Sequence, residues 1–466
     1  MSIENTFCDS ESLKKILTRG SRIYMGGIAG VGMYPLAVLL DSMGACVSGY
    51  DSGQNSRTEK LSKKKIKVKK RFSSLGMRKS DAFIYSNALT PDCIAYKYAK
   101  RKSIPCISRA DAIGVIAGDY TTSVGIAGMH GKSTTASLVT HILTECGKNP
   151  TALVGARTDS LDYGRIGGNE YFVFEACEYM RSFLAMSPRL AVAMNLELEH
   201  TDCYTDISDV KEAFLSYLNS ERVGVCLING DDENLVSLIP RIKSRVYTFS
   251  VRSHSSDFFA RDIRLEGEGV SFDFTSQGDS LGRVKTSLIG EHNVQNATAA
   301  LAVCALLGVD MSGAILSVST FGGTKRRAEY KFSIGNTRVI EDYAHHPTEI
   351  HATLSALRAH GYGKIACIFQ PHTYSRVYSF CDEMAKALSL SNRVIVTEIY
   401  SAREKNQYGV CGKDITDRMG KRAEYVPSLA DAAEKISDVL DGYDALVIMG
   451  AGDVFSATDI LRSKLT

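Results

Sequence analysis

"GIAGMHGKSTTASL", residues 125–138, decides how the chain is read. It has the look of a phosphate-binding loop. The widespread form of that loop is G-x-x-x-x-G-K-[ST]. Counted back from Gly131, the rule asks for glycine at 126, where this chain has Ile126. Glycines stand at 125 and 128 instead, so Gly128 to Ser133 reads G-x-x-G-K-[ST], a shortened loop. The groups the chemistry needs are all kept. Backbone N–H groups of a glycine turn at a helix N-terminus cradle phosphate. Lys132 can neutralise β- and γ-oxygens, and the Ser133 hydroxyl suits Mg²⁺. The loop comprises Gly128, Met129, His130, Gly131, Lys132, Ser133 and Thr134. It follows the apolar strand "YTTSVGIAG" and precedes a helix carrying Ala136, Val139, Ile142 and Leu143 on one face. That placement predicts a nucleoside triphosphate site; a purely structural glycine turn is the alternative.

Outward from the loop, 466 residues are too many for one hydrophobic core. Three blocks emerge, 1–118, 119–324 and 325–466. In the first, "SRIYMGGIAGVGMYPLAVLLDSMG" reads strand, glycine turn, helix, and "ACVSGYD" is a second strand ending at Asp51. "DAFIYSNAL" and "IPCISRADAI" continue a Rossmann-like alternation. In the second block, "EYFVFEAC", "RLAVAMN", "VGVCLIN" and "RVYTFSV" are nearly continuous apolar runs, as in a parallel sheet covered on both faces. "FFARDIRLEGEGVSFDFTSQG" alternates and predicts a small antiparallel excursion; "NATAALAVCALLG" closes the block as a helix. In the third, "TRVIEDYA", "KIACIFQP", "NRVIVTEIY" and "ALVIMGAG" are strands of a second doubly wound unit. The fold class is therefore α/β: a Rossmann-like N-terminal domain, a central P-loop-type ATPase with a mostly parallel sheet, and a Rossmann-like C-terminal domain.

A net charge of +3 does not by itself argue for nucleic acid or membrane. No apolar run reaches membrane-spanning length, and "MSIENTFCDSESLKK" lacks the apolar segment of a secretory signal. Twelve scattered cysteines without zinc spacing read as reduced thiols of a cytoplasmic protein. "KLSKKKIKVKKRF", residues 60–72, is either a solvated basic face or an attractor for an anionic substrate.

Two further segments carry chemistry. In "FEACEYMRSF", Glu175 and Glu178 emerge at a strand's carboxyl end, where α/β proteins place ligands; a carboxylate there can hold a metal opposite the phosphate loop. In "NLELEHTD", His200 is a metal ligand or proton carrier if it joins them, and a surface residue if it does not.

Taken together, "AGMHGKSTT", "FEACEYMRSFL", "NLELEHTD", "GEHNVQNATAA", "FGGTKRRAE", "EDYAHHPTEI" and "FQPHTYSR" resemble the Mur ligases, in order and over nearly the whole chain. The shortened loop is usual in that family. The resemblance implies ATP-dependent amide formation in peptidoglycan precursor synthesis, with Mg²⁺ (or Mn²⁺). "DYAHHPTE", "FQPH", "AGMH" in the loop and "IYSARE" point to the branch that uses UDP-N-acetylmuramate and L-alanine. In it, ATP phosphorylates the lactyl carboxylate and the amine of alanine attacks the acyl phosphate. Matched residue by residue, Lys132 and Ser133 fall on the phosphate lysine and the first-metal ligand. Glu175 and His200 fall beside the metals. His292, Asn293 and Asn296 fall on the adenine side, with Asn296 the best single choice. One of Arg326 and Arg327 is expected to reach the γ-phosphate, and Asp342 to meet the ribose. Tyr343, His345, His372 and Arg376 line the amino-acid and acyl-phosphate site. Pro347 suits the first turn of a helix, so His345 is expected at its N-terminus as a neutral imidazole; helix capping is the other reading of His345 and His346.

The first domain is implied to bind the UDP moiety through Gly27, Ala29, Gly30, Gly32 and Asp51. Here the chain departs from the family's G-I-G-G-x-G-M: "GIAGVGM" puts Ala29 third, and its methyl is expected to narrow the approach to pyrophosphate. A nicotinamide dinucleotide reading, with Asp51 on a ribose, lacks a hydride-transfer site. Glu199 before the histidine and Thr373 after "PH" are further departures. A murein tripeptide ligase shares "AHHPT", and glycine or serine could replace alanine. Members adding later residues use a carbamylated lysine about fifteen residues after the histidine, where this chain has Leu215. Folylpolyglutamate synthase lacks "DYAHHP". Oligomeric state is not legible.

Overall fold

The computed structural model describes residues 10–17, 19–53, 55–200, 203–267, 269–402 and 404–464. Cys8, Thr201, Asp202 and Arg403, used in the sequence reading, lie outside the described residues. The strands form three sheets. The first has five strands in the order Lys67–Lys69, Cys46–Tyr50, Arg22–Gly26, Ala82–Tyr85, Cys106–Ser108, all parallel. This order, 3-2-1-4-5, puts the strand-order reversal beside Arg22–Gly26. The glycine turn leaves the carboxyl end of that strand, where open α/β sheets bind ligands.

The second sheet has ten strands, running from Asp279–Thr286 through Gly269–Ser276, Phe258–Glu266, Arg245–Ser250, Val225–Asn229, Leu190–Ala193, Thr122–Ala127, Tyr171–Glu175 and Thr151–Arg157 to Asp162–Arg165. From Arg245–Ser250 to Thr151–Arg157 every pairing is parallel. Leu190–Ala193 is buried at every residue because it is covered on both faces. Ile126 lies in this sheet, fully buried and opposite Glu175, so position 126 is strand rather than loop. The excursion expected at 258–278 is longer than read. A third strand, Asp279–Thr286, follows, and two-residue connections between neighbouring strands oblige them to run antiparallel. The closing helix starts earlier than expected, at Glu291, and carries His292, Asn293 and Asn296 in its first two turns.

The third sheet runs Glu329–Ile334, Thr337–Asp342, Ala445–Gly450, Ile365–Gln370, Arg393–Val396, Ala423–Tyr425; only the first pair is antiparallel. Apolar cores lie on both its faces, one including Leu354, Phe369 and Met384, the other Ile368, Ile436 and Leu461.

The chain divides into two compact units. One comprises the residues up to Phe259 with Phe274–Gly282 and Asn296–Val318; the other comprises Ala260–Asp273, Arg283–Gln295 and the residues from Ser319 onward. No helix of the described residues is long and apolar enough to cross a membrane. The eleven described cysteines are all free thiols.

Candidate active site

The phosphate loop leaves Thr122–Ala127 and enters the helix Lys132–Glu145. Both of its glycines are required. Gly128 has φ +144°, and a Cβ there would stand 2.8 Å from the Met194 Cβ. Gly131 has φ +82°, and a Cβ there would stand 2.4 Å from the Asn296 Oδ1. Asn296 thus lies against the loop, and its Oδ1 also accepts a hydrogen bond from the Thr135 hydroxyl at 3.3 Å. Asn195, at the end of the neighbouring strand, clamps the loop from the other side. Its Oδ1 accepts from the His130 N–H at 2.8 Å, and its Nδ2 donates to the His130 carbonyl at 3.0 Å. The His130 ring meets Glu197.

Lys132 donates to the carbonyls of Gly128 and Met129 and pairs with Glu178 at 2.9 Å. The Glu178 side chain is 2% exposed and that of Lys132 13%. Burial alone would neutralise both groups. The pairing outweighs it, so the Lys132 ammonium is held above its ordinary range and the Glu178 carboxyl below its own, with His200 helping the latter. His200 Nε2 lies 3.3 Å from Glu178 Oε1, and its ring packs on Tyr179 at 4.8 Å. His200 and the Met180–Arg181 pair all take left-handed backbone. Tyr204 fixes the segment by donating to the Glu178 carbonyl at 2.7 Å.

His200 is brought to Glu178. Glu175, the last residue of its strand, accepts from the Gly155 N–H. Cys177, next to Glu178, has its thiol pushed up to about 11 by burial and then by the Glu178 charge.

In the glycine turn of the first sheet, Gly27 has φ +67°. A Cβ on Gly30 would stand 3.1 Å from the Gly27 carbonyl oxygen, and one on Gly32 would stand 2.5 Å from the Arg109 guanidinium. The expected obstruction by Ala29 is not found: its methyl is fully buried within the apolar core. Asp51 is engaged by the backbone of the turn. Its Oδ2 accepts from the Ala29 N–H at 3.0 Å and its Oδ1 from the Gly53 N–H at 2.9 Å. Arg57 donates to the Ala29 carbonyl at 2.5 Å. Asp51 and Arg57 therefore shape the turn through its backbone.

The second unit holds the remaining residues. Arg327 pairs with Glu349 at 3.1 Å and lies 5.2 Å above the Tyr343 ring. Arg326, with φ +62°, is exposed and lies over Phe455 at 4.2 Å. Asp342 is spent on holding this arginine loop. It accepts from the Ala344 and Ala328 N–H groups at 2.7 Å each and from Thr353 at 3.2 Å. Burial pushes its carboxyl up to about 6, against Arg327 and those N–H groups.

His345 precedes the helix Pro347–Ala359 as expected. Its Nδ1 lies 2.9 Å from the Tyr343 carbonyl and 3.3 Å from Glu349, so a carboxylate faces the imidazole that was expected to be kept neutral by the helix terminus. Glu349 also accepts from the N–H groups of His345 and His346 at the start of that helix. The His345 and His372 rings approach to 5.5 Å, and Arg376 donates to His372 Nδ1 at 3.1 Å. Thr373 begins the helix Tyr374–Leu388 with φ +69°.

Asn293 donates to the Ile289 carbonyl at 2.8 Å. His292 is held down to about 4 by burial first and then by Arg327, against Glu349. Its folded value lies below the ordinary 6.5, so its stabilising contribution is complete above pH 6.5 and is lost as pH falls towards 4. Urea melts should therefore show a smaller loss of stability over that window for His292→Gln than for the parent. Equal losses would contradict a neutral buried imidazole.

Sequence reading missed Asn195, Glu197, Tyr204 and Arg57. Asn195 had a signal, since it stands directly after the apolar run "RLAVAM" at a strand's carboxyl end. The others act through contacts distant in sequence.

Known proteins match along the length of the chain. Residues 22–121 match the Mur ligase family catalytic domain, residues 126–304 the Mur ligase middle domain, and residues 326–452 the Mur ligase glutamate ligase domain. The UDP-N-acetylmuramate–L-alanine ligase of Agathobacter rectalis is 36% identical over 449 residues, covering 95% of this chain and 98% of that protein. The enzyme of the same name from Caldanaerobacter subterraneus is 36% identical over 445 residues, covering 94% and 96%. Among solved structures, the UDP-N-acetylmuramate–alanine ligase of Thermotoga maritima superposes with a TM-score of 0.80 at 26% identity, covering 95% of this chain and 99% of that one. A murein peptide ligase from Psychrobacter arcticus, at 22% identity and a TM-score of 0.73, shares the fold.

Proposed function

Because this chain belongs to the Mur ligase family, we propose that it is the ATP-dependent ligase that joins L-alanine to the lactyl carboxylate of UDP-N-acetylmuramate in peptidoglycan precursor synthesis. The observation that carries this reading is the likeness to alanine ligases across almost the full length of both partners. The reaction proceeds through an acyl phosphate, in the cytoplasm, with the three domains taken as residues 1–118, 119–324 and 325–466.

Each step demands control of charge. A carboxylate that attacks ATP brings two anions together, so cations must stand between them. Lys132 supplies one; it is charged, desolvated and fixed by the loop carbonyls and Glu178. Arg326 is the second. Arg327 is engaged by Glu349, while the exposed Arg326 guanidinium lies over Phe455 with no carboxylate paired to it among the described residues, which leaves Arg326 to meet the γ-phosphate. The donor set of the Ser133 hydroxyl and the Glu175 and Glu178 carboxylates is oxygen-rich and fits Mg²⁺ or Mn²⁺, with His200 the softer neighbour. Such an ion offsets repulsion between the phosphate and the carboxylate when bound. Asn296 supports the loop and lies on the ATP side. Gly27, Gly30 and Gly32 receive the pyrophosphate at a helix N-terminus, with Asp51 and Ala29 as scaffold. Tyr343, His345, His372 and Arg376 receive the amino acid and the acyl phosphate.

The test is a substrate panel of purified protein with ATP, Mg²⁺ and UDP-N-acetylmuramate. Alanine, glycine, serine and a muropeptide are offered in turn, and products are read by mass. Alanine should give the product at the highest kcat/KM. A product from the muropeptide alone would replace this reading with the tripeptide ligase.

A further inference from the structure

The net charge of +3 conceals a strong asymmetry. Between Ser56 and Lys102 fifteen Lys or Arg face only three Asp or Glu, so the rest of the chain is net acidic. The fold gathers six of these cations at one end of the first sheet. All five strands of the first sheet are parallel, so every helix returns the chain to the same end. Basic residues fill those return turns. Lys63, Lys64 and Lys65 precede Lys67–Lys69, Arg78 and Lys79 precede Ala82–Tyr85, and Lys102 precedes Cys106–Ser108. All six are exposed, and none is paired with a carboxylate among the described residues. Lys60, by contrast, is paired with Asp162.

Lys67–Lys69 and Cys106–Ser108 are the two edges of the sheet, so the cations span its whole width, about 20 Å at the usual strand spacing. This end is opposite the one from which Gly27 and Asp51 emerge. These six cations therefore do not line the approach to the substrate turn, which has its own basic neighbours in Arg57 and in Lys69, next to Asp51.

We propose that the strand-start end of the first sheet is a docking face for an anionic lipid surface, which leaves the substrate turn pointing away from the lipid. Five of the six cations are lysines. A lysine acts as a hydrated point charge in a summed field, whereas bidentate phosphate recognition favours arginine. No exposed aromatic ring stands among them, so the stacking platform of a single-strand nucleic-acid site is lacking. Each basic residue near an anionic leaflet strengthens binding about fivefold, and the effect fades beyond about 10 Å at moderate salt.

The experiment is co-sedimentation of the full chain with vesicles of phosphatidylglycerol and phosphatidylcholine in equal parts, and with phosphatidylcholine alone. The protein should pellet with the first and not the second, and high salt should release it. The triple variant Lys64→Glu, Lys79→Glu, Lys102→Glu should bind at least tenfold more weakly while keeping the parent's thermal melt. If that variant does not fold, Lys→Gln at the same positions gives the same comparison. The proposal is overturned by absence of pelleting at low salt, by pelleting of the parent that ignores salt, or by undiminished binding of a folded variant. A duplex oligonucleotide that binds the parent but not the variant, with vesicles left unbound, would assign the face to nucleic acid instead.

Discussion

Lys132→Ala should lower turnover at least a hundredfold while UDP-N-acetylmuramate still binds. The lysine is the fixed cation at the phosphate loop, and loss of such a charge where phosphoryl charge develops costs about 3 kcal/mol or more. The glycine turn that receives the UDP moiety leaves a different sheet and shares no side chain with the loop, so substrate affinity measured by calorimetry should stay within about threefold, under 1 kcal/mol. Near-normal turnover would remove Lys132 from the ATP site. Equal loss of turnover and of sugar-nucleotide binding would point to a misfolded variant instead.

Glu178→Gln should be the most damaging exchange of one carboxylate. It removes the partner of a buried ammonium, and breaking a buried ion pair from one side costs about 3–5 kcal/mol. The pH dependence of that cost has a definite sign. The folded value of Glu178 is depressed, so its contribution is complete above the ordinary 4.5 and is lost as pH falls through the depressed value. The stability gap between parent and variant should therefore be wide at pH 7 and narrow in acid. The same exchange should raise the Mg²⁺ concentration needed for half-maximal rate, more than Glu175→Gln does. His200→Ala should act more mildly, because the imidazole touches the same carboxylate from outside the ion pair. A variant Glu178→Gln with the parent's melt and metal dependence would contradict this ordering.

The choice between Glu175 and Glu178 shows where sequence reading stops. Three residues apart at a strand's end, both reach the carboxyl edge of the sheet. Which one turns towards the lysine depends on the left-handed backbone at Met180 and Arg181 and on the Tyr204 hydroxyl, and neither is written in spacing. The loop itself was legible because glycine, lysine and serine stand between a buried strand and a buried helix. The central strands were legible for a related reason: burial on both faces imposes unbroken apolar runs, as in Leu190–Ala193 and Ile365–Gln370.

Strands at sheet edges impose no such pattern. Asp162–Arg165, Glu329–Ile334 and Ala423–Tyr425 are only partly covered, carry charged residues and went unread. Asp51, Asp342 and Ala29 were found as positions, but the contacts they make within the chain were not. Their backbone partners, in the glycine turn and the arginine loop, become visible only once the chain is folded.

The central claim is that ATP activates the lactyl carboxylate of the sugar nucleotide for attack by alanine. The most direct test uses UDP-N-acetylmuramate with ¹⁸O in both carboxylate oxygens and follows the label by mass. Phosphate released together with alanine-dependent product should carry one ¹⁸O, because the carboxylate oxygen bonded to phosphorus leaves with it when the amide forms. Phosphate free of label, or phosphate release that does not require alanine and UDP-N-acetylmuramate together, would contradict the account.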